Sequence, residues 1–468
     1  MTNAGEVQFP AGFTWGVATA SYQIEGGARE GGRGVSIWDT FSHTPGRVFN
    51  GDTGDVACDH FHRYREDVAL IRDLGVNAYR FSFGWSRLQP EGTGPLNPAG
   101  VDFYDRLLDE LLAAGIRPFV TLYHWDLPQA LEDAGGWPAR DTAHRFADYA
   151  TAAHARFADR ISDWTTLNEP WVSAFVGYAA GVHAPGRTEP AAAVQAAHHL
   201  LLGHGLATTA MRAARPDLRY GIALNLYPVD AASSADVDVN AARRVDGQQN
   251  RMFLDPLLLG RYPRDILADL APIVGLDHIH AGDEATIHAP LDFLGVNYYF
   301  RQTVRGPRPG ETPPASGRRL AWVGAEDIVP VDTGRERTQM GWEVDPDGLR
   351  ELLVRLATEY GSPVLYVTEN GAAFEDEMTP DGAVHDPRRT AYLDGHFRAA
   401  VEAIEAGANL KGYFVWSFMD NFEWGHGFSK RFGIVHVDYP TQTRTIKDSG
   451  HWFTGVARSN RVPASGSG

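Results

Sequence analysis

One cysteine, Cys58, occurs in 468 residues, so no internal disulfide can form. That suits a reducing compartment, and the lone thiol is expected to be a small buried side chain. Lys and Arg number 42 against 59 Asp and Glu, a net charge of −17, and no Lys/Arg-rich run occurs. A nucleic-acid surface needs a basic footprint, so nucleic acid is not an expected partner and the acidity serves solubility. No stretch of roughly 18 apolar residues is present, which excludes a membrane-spanning helix. The opening "MTNAGEVQFPAGF" lacks the basic and apolar regions of a secretory signal, so a soluble, cytoplasmic protein is expected. No G-x-G-x-x-G turn follows a strand, which argues against dinucleotide binding. Two histidine groups stand out, Cys58, Asp59, His60 and His62 in "CDHFH" and His198, His199 and His204 in "HHLLLGH". Neither has the spacing of a structural zinc site and both fall on predicted helices, so no metal is expected.

Core-forming material is plentiful: 43% of residues are hydrophobic, with 12 Trp, 17 Tyr and 23 Phe. One pattern recurs along the chain, an amphipathic stretch, a glycine, then a short β-rich run. In "FHRYREDVALIRDLG" the apolar residues Phe61, Tyr64, Val68, Ile71 and Leu74 step by three or four, a helical face closed by Gly75. The same device ends at Gly115, Gly361 and Gly407. Eight strand candidates result: "FTWGVATAS", "NAYRFSFGW", "RPFVTLYHW", "DWTTLNEP", "YGIALNLYP", "DFLGVNYYF", "PVLYVTEN" and "LKGYFVWSF". Strands alternating with helices mean parallel pairing and right-handed crossovers. The expected fold is α/β, a single (β/α)8 TIM barrel over residues 7–456 with long loops at its C-terminal face. Residues 1–6 and 457–468 are expected to be flexible tails. An open doubly wound sheet is the structural runner-up.

In such a barrel the chemistry sits where the strands end. Gln23 follows the first strand and Arg80 lies on the second. His124 and Trp125 end the third, and Asn168 and Glu169 end the fourth. Asn225 belongs to the fifth, Asn297 and Tyr299 to the sixth, Glu369 and Asn370 to the seventh, Trp416 to the eighth, and Glu423 and Trp424 to the loop beyond. Amides, carboxylates and indoles without a basic crowd suit a neutral polyhydroxylated ligand. Amides and carboxylates pair with hydroxyls, and indole faces cover the C–H surface of a sugar ring. Cleaving a glycosidic bond needs two carboxyl groups flanking the anomeric carbon, and Glu169 and Glu369 are placed to face each other across the mouth.

"TLNEP" and "TENG", with "YRFSFGWSRLQP", "YHWDLPQALED", "GWEVDP" and "WSFMDNFEWGHGFSKRFGIVHVD", resemble the family 1 glycoside hydrolases of β-glucosidase type, in order and over nearly the whole chain. The resemblance implies a metal-free, cofactor-free retaining β-glycosidase, with Glu169 as acid/base and Glu369 as nucleophile. It implies a glycone pocket lined by Gln23, His124, Asn168, Tyr299, Trp416, Glu423 and Trp424. A nearby Arg80 is expected to lower the pKa of Glu369, and burial beside a second carboxylate to raise that of Glu169. Trp342 in "MGWEVDP" reads either as an aglycone-side platform or as a packed loop residue, and Glu423 either as a ligand or as a solvated loop residue. The expected activity is removal of terminal non-reducing β-D-glucose from short oligosaccharides, cello-oligosaccharides among them, and from aryl or alkyl glucosides, with transfer to alcohols. Rival readings are a β-galactosidase or β-fucosidase, a 6-phospho-β-glucosidase, a sugar-binding protein without turnover, and a metal-dependent barrel isomerase or hydrolase.

Overall fold

The protein's structure, a computed structural model, describes residues 5–311 and 321–464. Eight parallel strands close into a barrel: β1 (Thr14–Ala18), β2 (Ala78–Ser82), β3 (Arg117–Tyr123), β4 (Asp163–Asn168), β5 (Arg219–Asn225), β6 (Phe293–Asn297), β7 (Leu365–Asn370) and β8 (Leu410–Trp416). They pair in chain order, and β8 returns to β1 with Tyr413 opposite Trp15. All eight expected strands are present. The main helices on the outside are α1 (His60–Asp73), α2 (Pro98–Ala113), α3 (Arg140–Phe157), α4 (Pro190–Ala214), α5 (Asp236–Asp246), α6 (Pro346–Glu359), α7 (Pro387–Glu405) and α8 (Asp448–Ser459). Gly75, Gly115, Gly361 and Gly407, read as helix stops, adopt φ of 72°, 73°, 74° and 103°, a region that costs glycine no Cβ clash.

The barrel interior is a plug of aromatic rings seated on glycines. Phe119 of β3 packs against Phe293 at 5.0 Å, Phe414 at 5.0 Å and Tyr366 at 5.4 Å between ring centroids. Space for these rings exists because the facing positions are bare. A Cβ on Gly16 would lie 2.3 Å from Phe414, and one on Gly221 would lie 2.4 Å from Phe293. Large and small residues therefore alternate around the interior, as a filled barrel requires. Above this plug the interior turns polar, and there the strand ends carry the candidate chemistry.

The expected tail boundary at residue 456 is corrected by the structure. It falls inside α8, and beyond it Arg461–Val462 pairs antiparallel with Val7–Gln8. Of the expected tails, residues 1–4 and 465–468 lie outside the described residues. The histidine groups are packed against protein partners. His60 bonds Asp67 at 2.8 Å, His198 lies between Tyr262 and Asp283 at 2.9 and 2.8 Å, and His204 meets Thr166 at 2.6 Å. Among the described residues no group of three or more His, Cys, Asp or Glu is placed to hold a metal, and no helix is long and apolar enough to cross a membrane.

Filling one of the bare positions should unseat the plug. For Gly221→Ala the new methyl meets the Phe293 ring at 2.4 Å and its carbonyl oxygen at 2.5 Å. Overpacking of this kind costs about 1–3 kcal/mol. The thermal midpoint at fixed scan rate should drop, and an unchanged midpoint would contradict the packing described.

Candidate active site

In the segment "TLNEP" the strand is pinned to a helix and then turned into the mouth. Thr166 Oγ1 bonds His204 on α4, fixing the strand to its covering helix. Asn168 ends β4, and Glu169 then takes a φ of 47° while its N–H donates to the Ala223 carbonyl at 2.9 Å. That left-handed turn swings the carboxylate into the mouth, and Pro170, which has no N–H, cannot extend the ladder. "TENG" is explained in the same way. Thr368 Oγ1 donates to Asn297 Oδ1 at 2.6 Å, and Asn370 Nδ2 donates to the Tyr298 carbonyl at 2.8 Å. Gly371 must be bare, since a Cβ there would lie 1.5 Å from the Trp416 carbonyl oxygen.

Between the two motifs lies a chain of buried hydrogen bonds. Arg80, with no exposed surface, donates through Nη1 to Glu369 Oε1 at 2.7 Å and through Nη2 to Asn168 Oδ1 at 2.6 Å. Asn297 Nδ2 donates to that same Asn168 oxygen at 3.0 Å and to Glu169 Oε1 at 2.8 Å. It also lies against Glu369. Because Thr368 holds the Asn297 oxygen, its nitrogen must face the carboxylates. Both carboxylates thus border one amide group, a gap on the order of 5 to 6 Å. Tyr299 supplies the second donor to Glu369, bonding Oε2 at 2.7 Å.

Burial pushes the Glu369 carboxyl above its ordinary value, against the downward pull of Arg80, Tyr299 and Asn297. The expected effect of Arg80 is present, but desolvation outweighs it, which corrects the expected net direction. His124 is driven well below its usual range, first by burial and then by the charge of Arg80, so the ring is neutral. Asn168 Nδ2 faces its Nε2 at 3.0 Å, which assigns the ring proton to Nδ1. That Nδ1 and Gln23 Oε1 are buried without a hydrogen-bond partner, at a cost of about 1–3 kcal/mol each. Unpaired polar atoms at the foot of a cavity are what a hydroxylated ligand satisfies.

The cavity has a volume of about 450 Å³. His124, Trp125, Glu169, Asn225, Asn297, Tyr299, Trp342, Glu369, Trp416, Glu423 and Trp424 all line it. Gln23, Arg80 and Asn168 stand one layer behind, fully buried. Gln23 sits on the short helix Ser21–Ile24, and its Nε2 donates to Asn421 Oδ1 at 3.0 Å and to the Phe422 carbonyl at 2.9 Å, with Glu423 Oε2 at 3.5 Å. Trp416, His124 and Trp424 form a near-parallel aromatic group, with the His124 ring 5.8 Å from Trp416 and 6.0 Å from Trp424. Glu423 is 9% exposed and lines the cavity, so it is not a solvated loop residue. Trp342 lines the cavity and also packs on Tyr299 and Phe300, at 5.1 and 5.4 Å. Trp125, Glu169 and Trp424 share a positive φ of 76°, 47° and 50°, strain of about 1–3 kcal/mol each that the surrounding structure holds in place.

The loop that carries Glu423 and Trp424 is anchored below by buried charges. Asp420 accepts from Lys447 Nζ at 2.7 Å, from Arg431 Nη1 at 2.6 Å and from the Gly433 N–H at 3.0 Å. Sequence reasoning missed much of the outer cavity: Val172 and Val176 on the π-helical turn Val172–Ala179, Leu226 and Phe300 just past β5 and β6, and Arg47 and His183 on distant loops. Only Leu226 and Phe300 had a readable signal, as neighbours of strand-end residues.

This site lies in a chain with close relatives. A family model described as glycosyl hydrolase family 1 matches residues 6–462. Thermostable beta-glucosidase B of Thermobispora bispora is 51% identical over 459 residues, 98% of this chain and 92% of that protein. The 1,4-beta-D-glucan glucohydrolase of Thermotoga neapolitana is 47% identical over 454 residues, 97% of this chain and 99% of its own. The solved family 1 b-glucosidase from Thermotoga maritima superimposes with a TM-score of 0.91 at 47% identity, covering 97% of this chain and 99% of that one.

One buried group behind the site gives the fold a pH signature. Asp126, next to Trp125, accepts from Ser21 Oγ at 3.0 Å and leaves Oδ1 unpartnered. Burial pushes its carboxyl up to about 7. An unfolded aspartate titrates near 3.9, so between roughly pH 4 and 7 the folded state holds the extra proton. Stability therefore falls as pH rises through that window and stays lower above it. Asp126→Asn, which cannot ionise, should gain stability over the wild type near pH 8 and not near pH 4. Thermal midpoints at the two pH values check this, and an equal difference at both would contradict it.

Proposed function

The chain belongs to glycosyl hydrolase family 1, and on that premise we propose that it is a retaining β-glucosidase removing terminal non-reducing β-D-glucosyl units from cello-oligosaccharides and from aryl and alkyl glucosides. The observation that carries the reading is the pair of buried carboxylates bordering the Asn297 amide, in a cavity walled by indoles. Retaining enzymes hold their two carboxyl groups about 5–5.5 Å apart, too close for a water on the far face of the sugar, and two carboxylates that share one amide neighbour suit that spacing, so one carboxylate attacks.

In the first step a Glu369 oxygen bonds to the anomeric carbon while the bond to the aglycone oxygen breaks, and Glu169 gives that oxygen its proton. The glycosyl-enzyme neutralises the Glu369 charge, which lowers the pKa of Glu169 and readies it as a base. Glu169 then takes a proton from water, the hydroxyl bonds to the anomeric carbon, and the Glu369 ester bond breaks. An alcohol in place of water gives transglycosylation. Arg80 stays with Glu369 Oε1 throughout, while the more exposed Tyr299 contact leaves Oε2 the freer oxygen to attack. Asn168 has one Nδ2 hydrogen beyond its His124 bond for the sugar 2-hydroxyl, and Glu423, with Gln23 behind it, grips the far edge. The two carboxylates supply nucleophile, acid and base, so the scheme calls on no metal. The single, buried Cys58 fits the cytoplasmic placement read from the sequence.

Proton NMR of the first sugar released should show the β-anomer before mutarotation, and initial α-glucose would overturn the mechanism. Glu369→Gly should lose turnover on all substrates and regain it with azide or formate. Glu169→Ala should lose about 10²–10⁴-fold on glucosides with poor leaving groups and little in the first step on dinitrophenyl glucoside. Equal losses across leaving groups would remove Glu169 from the acid role.

The sugar's far end excludes phosphate. Of the nearby cations, Arg431 is committed to Asp420 and the Val437 carbonyl, and neither it nor Lys430 lines the cavity. A phosphate facing Glu423 at 4 Å, with an effective dielectric of 20, costs roughly 4 kcal/mol per charge pair. Nitrophenyl β-glucoside should be hydrolysed at least about a hundredfold better than its 6-phosphate, and Glu423→Ser should narrow the gap. Preference for the phosphorylated substrate would remove Glu423 from that edge.

A further inference from the structure

Outward from the two glutamates the cavity changes character. One wall is a run of aromatic rings, Tyr227 against Phe300 at 4.9 Å and Phe300 against Trp342 at 5.4 Å, each pair inclined by only 26°. Such a wall takes a flat aglycone by its face. On the long loop between β1 and α1, Arg47 lines the same cavity and is exposed. Among the described residues that line it, Arg47 is the one Arg or Lys. Its contacts set it apart from Arg80. Nη1 donates to the Gly181 carbonyl at 3.3 Å, and the guanidinium lies 5.5 Å from the Phe41 ring, with no carboxylate partner among the described residues. Most of its five N–H donors are therefore uncommitted, in a planar fork whose geometry matches a carboxylate.

We infer that Arg47 is a specificity-determining residue for the leaving group, and that the enzyme accepts aryl β-glucosides whose aglycone carries a carboxylate. The inference rests on the β-glucosidase reading above and names a substrate class within it. The same negative charge has opposite consequences at buried Glu423 and at exposed Arg47 on the cavity rim. On the sugar it meets Glu423, and on the aglycone it meets Arg47. An exposed pair of this kind contributes modestly, equivalent to about two- to fivefold in kcat/KM.

The test compares 4-carboxyphenyl β-D-glucoside with its neutral methyl ester on the wild type, Arg47→Gln and Arg47→Glu. The quantity read is the ratio of kcat/KM for the anionic over the neutral substrate, because leaving-group differences cancel when variants are compared. Against the wild type the ratio should fall about two- to fivefold in Arg47→Gln and further in Arg47→Glu. The wild-type ratio should also fall as salt is raised to about 1 M, where the screening length is about 3 Å. The salt series needs no variant, so a misfolded substitution cannot hide the answer. A ratio that is the same in all three enzymes, or indifferent to salt, overturns the inference alone. Failure of the wild type to hydrolyse either glucoside overturns the β-glucosidase reading and the inference with it.

Discussion

Arg80 lies at the bottom of the barrel mouth with no exposed surface and no escape from its partners. One arm of its guanidinium holds Glu369 and the other holds Asn168, whose oxygen also receives Asn297, which in turn holds Glu169. A buried arginine is tolerable only when its charge is matched, and here Glu369 matches it while Nη1 and Nη2 are bonded and Nε alone is left without a partner. The need to satisfy this one cation therefore fixes the relative positions of strands β2, β4, β6 and β7 at their ends. Two of them, β4 and β7, carry the glutamates at their ends. The distance between the two carboxylates is in this sense a property of the barrel rather than of any loop.

The opposite side of the cavity is built differently. Glu423 and Trp424 belong to a loop and need support that a strand would give for nothing. It comes from Asp420, Lys447 and Asp376, all with no exposed side-chain surface, which tie the loop to the layer beneath it. Trp125, Glu169 and Trp424 all sit at a positive φ that few non-glycine residues adopt. The strain buys side-chain direction: each turn aims a side chain at the cavity where a relaxed backbone would aim it elsewhere.

Much of this was legible in the sequence, for identifiable reasons. Parallel strands buried on both faces read as apolar runs, and glycine at helix ends reads as punctuation, so the barrel could be laid out from pattern alone. Strand-end residues inherit their position from the strand, which is why Glu169, Glu369, Asn297 and Trp416 could be placed before the structure was known. Three things were not readable. The net pKa direction of Glu369 depends on how completely the site is dried, which no pattern encodes. The barrel's C-terminal boundary was set too early, at residue 456, because the two-residue strand Arg461–Val462 is too short to carry periodicity. Arg47 lies on a loop far from any strand end in sequence, and only the folded path of that loop brings it to the cavity.

Glu369 is the residue that bonds to the sugar in the proposed mechanism, and trapping that bond tests it directly. A 2-deoxy-2-fluoro-β-glucoside with a good leaving group slows the second step by destabilising its oxocarbenium-like transition state, so the glycosyl-enzyme accumulates. Peptide mapping by mass spectrometry should then find one fluoroglucosyl group, on the peptide "YVTENG" and on Glu369 within it. A label on Glu169, or inactivation with no covalent label, would contradict it.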